Sequence, residues 1–88
     1  MIPPLIIGML NRWIAEGILP GHFLTAVLCN DLRAAVRHAD DENARALTDI
    51  VKWLHENAPP GCWGSHSAVN RWRLSKRRAY RQPQVVKG

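Results

Sequence analysis

Apolar residues recur every three or four positions through most of this chain, the period of a helix rather than the alternation of a strand. Leu5, Ile6, Met9, Leu10, Trp13 and Ile14 form the first such stripe. Pro3 and Pro4 stand before it, where a missing N–H costs nothing, and Gly17 stands after it as a stop. A first helix is therefore expected over residues 3–16. The segment Ile18-Leu19-Pro20-Gly21 reads as a turn. Beyond it, Leu24, Val27, Leu28, Leu32, Ala35, Val36 and Ala39 keep helical spacing, and Asn30-Asp31 interrupt them as a kink or short break.

Asp40, Asp41 and Glu42 stand where a third helix should begin. Acids complement the positive end of a helix, and Asp40 is a good N-cap. Ala44, Leu47, Ile50, Val51 and Leu54 give this helix an inner face. Arg45, Asp49, Lys52 and Glu56 are spaced for pairing on the outside. The stretch Ala58-Pro59-Pro60-Gly61-Cys62-Trp63-Gly64-Ser65 then ends the pattern. Pro59 drives Ala58 out of helical geometry, Pro60-Gly61 favours a tight turn, and Ser65 is suited to cap a fourth helix running through Val69 and Trp72. This stretch reads as a corner, with Cys62 and Trp63 plugging the end of the bundle. Helix is expected as far as Tyr80, and no regular structure in the final Pro-Gln-Val-Val-Lys-Gly.

The picture is an all-α fold: a small bundle of about four helices, the second broken near Asn30, with a basic and partly disordered C-terminal tail. The expected core is Leu10, Trp13, Phe23, Val27, Leu28, Leu32, Leu47, Ile50, Val51, Leu54 and Trp63. At 88 residues there is room for one domain with a small core. We place the helical domain at 1–72 and a basic extension at 73–88. No apolar run approaches the length of a membrane span, and the N-terminus lacks the basic flank of a secretory signal. The expectation is a soluble, cytoplasmic protein that contacts no membrane.

Charge divides the chain. Residues 1–70 carry five Lys and Arg against seven acids, a net −2. Residues 71–88 carry seven positive charges and no acid. Such asymmetry points to a polyanion or an acidic protein surface as partner. Arg71, Arg73, Lys76, Arg77, Arg78 and Arg81 interleave with Trp72 and Tyr80. Guanidinium forks grip phosphate or carboxylate, and aromatic rings stack on bases. The candidate site for nucleic acid or an acidic partner is thus Arg71, Arg73, Lys76, Arg77, Arg78, Tyr80 and Arg81. Asp40, Asp41 and Glu42 are candidate protein-interface residues, although helix-end complementation already accounts for them.

Chemistry is harder to find. Cys29, Cys62 and the histidines 22, 38, 55 and 66 include no metal-ligand spacing. Cys62 with His66 or His55 would make a nucleophile and base, but no third orienting group is legible. The reading is a protein that is not an enzyme, without metal or other cofactor.

Three linked motifs carry a resemblance. Pro-Gly-x-Phe-Leu-x-Ala-Val-Leu-x-Asn-Asp-Leu spans Pro20 to Leu32, Ala-Asp-x-x-Asn spans Ala39 to Asn43, and Cys-Trp-Gly-Ser spans Cys62 to Ser65. Together they resemble a family of short uncharacterised bacteriophage and prophage proteins, over roughly residues 2–72. The resemblance implies an accessory protein that binds one host or phage protein and alters it, as inhibitors of CRISPR complexes and of host nucleases do. The basic extension is not a feature of that family. The expected function is therefore a non-catalytic phage accessory protein. It would inhibit or redirect a host protein machine, either a nucleic-acid enzyme or an anti-phage defence complex. The alternative is a nucleic-acid-binding accessory protein that acts through the basic tail.

Overall fold

The computed structural model describes the backbone of residues 1–87 and the side chains of residues 1–78. All regular structure among them is helical: α1 (Pro4–Glu16), α2 (His22–Leu28), α3 (Leu32–His38), α4 (Asp41–Asn57), a single 3₁₀ turn (Pro60–Cys62) and α5 (His66–Lys87). The described residues thus hold five α-helices where about four were expected, because the break near Asn30 is complete.

Each boundary has a local cause. Asn30 adopts the left-handed conformation at φ 58°, which asparagine tolerates better than most residues. Its N–H reaches back to Val27, and the Asp31 N–H to Ala26, so these two carbonyls at the end of α2 are satisfied. Asp31 then turns from stop to start: its Oδ1 accepts from the Ala34 N–H at 3.2 Å and caps α3. Asp40 caps α4 as expected, accepting from the Asn43 N–H at 2.8 Å. Ser65 caps α5, accepting from the Ala68 N–H at 3.0 Å.

The core forms around six side chains that are wholly buried: Leu10, Trp13, Leu28, Ile50, Leu54 and Cys62. Phe23, Val27 and Val69 close around them. Four expected core residues fall elsewhere. Leu32 is 66% exposed, because the new cap at Asp31 resets the phase and turns Ala35 inward instead. On α4 the buried line is Ala46, Ile50 and Leu54, one strict four-residue repeat. Val51 is left 39% exposed, and Leu47 half-covered. Small Ala46 lets the helix approach closely along that line.

The corner is a plug, but its tryptophan is a different one. Trp63 is only partly buried, whereas Trp13 is sealed and donates its indole N–H to the Cys62 carbonyl at 3.0 Å. A carbonyl inside the 3₁₀ turn thereby gains a partner, and the largest core side chain has no orphan donor. Gly64, at φ 113°, sends its N–H to the Leu28 carbonyl at 2.7 Å. The corner is thus tied both to α1 and to the end of α2. Both cysteines are free and buried.

Two further expectations are corrected. Arg45, Asp49, Lys52 and Glu56 do not pair with one another among the described residues; Asp49 instead accepts from the Met1 ammonium at 2.7 Å. The backbone also stays helical through Lys87, where the last residues were expected to be irregular. Among the described residues, no helix is long and apolar enough to cross a membrane.

Candidate functional site

The basic segment is a continuous part of α5, and its first turns are fixed to the body. Trp72 is the anchor. Its indole N–H donates at 3.2 Å to the Trp13 carbonyl, which also accepts from the Gly17 N–H at 2.8 Å. Gly17 sits at φ 71°, and a Cβ there would lie 2.7 Å from the Lys76 Cβ. Glycine at this position permits both the left-handed stop of α1 and the close passage of α5. Lys76 folds its ammonium over the Trp72 ring, 4.9 Å from the centroid. The negative end of α1 carries no basic residue of its own in its last turn. The Lys76 stem passes against Gly17 at that end.

This anchoring sorts the expected site residues. Arg73 and Lys76 are half-buried, and Arg73 donates to Asn70 one turn back at 3.2 Å. Arg71, Arg77 and Arg78 are exposed. The side chains of Tyr80 and Arg81 lie outside the described residues. Leu74, 49% exposed, stands three or four positions from each of the three exposed arginines, so it shares their face. The last acid of the chain is Glu56, so α5 has none to neutralise this face. Within the segment 73–88, Arg73 and Lys76 are thus packed at the base of α5.

The acids Asp41 and Glu42 stand exposed in the first turn of α4, where the helix end favours them. Asp40 is already used as the cap. Among the described residues, no hydrogen bond or ion pair joins these three to the basic face.

A second feature was not legible in the sequence. Three of the four histidines, His22, His38 and His66, line one open groove of about 440 Å³ with Thr25, Cys29 and Asp31. The His22 and His38 rings stack with centroids 5.3 Å apart. His66 Nε2 lies 3.3 Å from Asp31 Oδ2. The Ala34 N–H and then the His66 contact hold the Asp31 carboxyl below its usual range. Burial, aided by the Asp31 charge, pushes the Cys29 thiol up. The Asn-Asp pair before a helical run was the one local clue to Asp31; positions 22, 38 and 66 have none.

The pairing of Cys62 with His66 considered from the sequence is not assembled. Cys62 is wholly buried and burial raises its thiol, while His66 is engaged with Asp31. Among the described residues, no three His, Cys, Asp or Glu side chains are grouped to hold a metal ion. Compared with known proteins, the chain matches no family model, no curated protein and no solved structure.

Proposed function

We propose that this is a non-catalytic accessory protein of the bacteriophage kind, which binds a host protein machine and inhibits or redirects it. The phage setting comes from the three motifs of residues 20–65. The mode of binding comes from one observation: Arg71, Arg77 and Arg78 stand exposed on a helix whose base is locked to the body by Trp72 and Lys76. A fixed row of guanidinium groups without a neighbouring acid is pre-ordered for an anionic surface, and less freedom is lost on docking. The partner we infer is an acidic surface on a nucleic-acid enzyme or anti-phage defence complex of the bacterial host.

Nucleic acid is the second reading, because the same row suits phosphates. Salt separates the two. Phosphate contacts on duplex DNA give a slope of log affinity against log salt of about −0.9 each. Affinity capture from a bacterial lysate with the wild-type chain and with Arg71→Gln/Arg77→Gln/Arg78→Gln, with and without nuclease, tests the proposal. Nuclease-resistant capture that the triple variant loses supports it. Capture that nuclease abolishes favours the second reading, and capture unaffected by the triple substitution rejects both.

A further inference from the structure

We infer that the contact face of α5 is centred on Leu74, and that its partner is a protein surface offering an apolar pocket rimmed by carboxylates. This rests on the reading above that the outer face of α5 is the binding surface. The inference adds what that surface accepts.

Leu74 is 49% exposed on the part of α5 that is anchored to the body. Arg71 lies one turn before it, and Arg77 and Arg78 one turn after. At spacings of three and four residues these side chains are its surface neighbours. The two half-buried basic residues, Arg73 and Lys76, turn toward Asn70 and Trp72 and leave that ring open. An apolar side chain bordered by charge matches the anatomy of a protein interface, with a dry centre and a polar rim. A duplex backbone would use the arginines and leave Leu74 in water. The complementary surface has an apolar socket with Asp or Glu around it, so the arginine charge selects the partner's rim and the leucine selects its centre. Carboxylates can accept both prongs of an arginine fork.

The probes are two synthetic helical peptides of equal negative charge, one with leucines and glutamates in a heptad stripe and one with alanine for each leucine. A 16-base-pair DNA duplex is the third. Fluorescence anisotropy measures each against the full chain and against Leu74→Ser, Leu74→Met and the triple arginine-to-glutamine variant, with circular dichroism to confirm folding. The wild type should bind the leucine peptide at least about tenfold more tightly than the alanine peptide, the order of one small apolar contact. Leu74→Ser should remove that preference and leave the alanine peptide unaffected, and Leu74→Met should restore it. Equal binding of the two peptides by the wild type overturns the inference while sparing the arginine surface. So does a preference that survives Leu74→Ser, or binding only to the duplex. Binding that is absent in the wild type, or unchanged in the triple variant, overturns the arginine surface as well.

Discussion

At the level of single residues, the core and the corner meet at one tryptophan. Trp13 fills the centre of the core and satisfies the Cys62 carbonyl. Trp13→Ala should therefore cost about 3–5 kcal/mol, in the range of large buried aromatic deletions. Trp63→Ala should cost less, since Trp63 is only partly covered. Urea unfolding of both variants checks the order, and a larger loss at Trp63 would contradict the packing. Cys62→Ser should fold with a modest loss of about 1–3 kcal/mol, from a hydroxyl placed in an apolar site. Asp31 carries the acid response. Its carboxyl titrates below its usual value because the Ala34 N–H and His66 favour the anion. A depressed folded value means that the unfolded chain binds the proton more readily. The contribution is then complete above the ordinary aspartate range and is lost as pH falls through the folded value. Asp49, held down by the Met1 ammonium, acts with the same sign. Thermal midpoints of wild type and Asp31→Ala should converge between about pH 6 and about pH 2; parallel curves would mean that the Asp31 contacts do not matter in solution. The sequence pointed to a plugged corner but could not choose among tryptophans, since Trp13 and Trp63 differ only in what the fold brings to them.

At the level of elements, the caps were readable and the helix phases were not. Asp40 and Ser65 announce themselves by residue type and place, and each accepts a backbone N–H in its first turn. Asp40→Ala should lower stability by about 1 kcal/mol; an unchanged unfolding midpoint would show that α4 starts without it. The Asn30-Asp31 break was visible as a gap in periodicity. Its consequence was not, because a left-handed residue shifts the register of everything after it, and Leu32 and Val36 rotate into solvent. Asn30→Gly should accordingly be tolerated, whereas Asn30→Ala should cost about 1–2 kcal/mol for a Cβ in the left-handed region without the asparagine's local bonding. Differential scanning calorimetry of the pair separates the effect of backbone conformation from loss of the side chain. Similar stability in the two would place the strain elsewhere. The histidine groove shows the same limit of sequence reasoning: α2, α3 and α5 each supply one imidazole, and only the tertiary fold makes them neighbours.

At the level of the whole molecule, the charge asymmetry was plain from the sequence, while the packing of its first basic residues against the body was not. A boundary after residue 72 follows the composition, whereas the packing continues through Arg73 and Lys76. The Lys76 stem lies against Gly17 and its ammonium over Trp72, so the basic face is carried on a segment that the core holds in place. A chain ending at Arg78 should therefore unfold at nearly the same temperature as the full chain. A chain ending at Ser75, which lacks Lys76, should unfold earlier, because Gly17 loses the aliphatic stem packed on it and Trp72 loses its cover. The exposed arginines should behave oppositely: Arg71→Gln/Arg77→Gln/Arg78→Gln should retain the wild-type midpoint, because no contact with the body among the described residues depends on them. If duplex DNA binds through these three groups, the wild-type salt slope should be about −3 and the triple variant should lose it. If a protein is the partner, the variant should bind more slowly and with less salt dependence, while its fold is unchanged. Melting curves on both truncations, with salt titrations on the triple variant, test the arrangement. Equal melting of the Ser75 and Arg78 chains would return the border to residue 72. A destabilised triple variant would mean that the arginines hold the body together rather than face a partner.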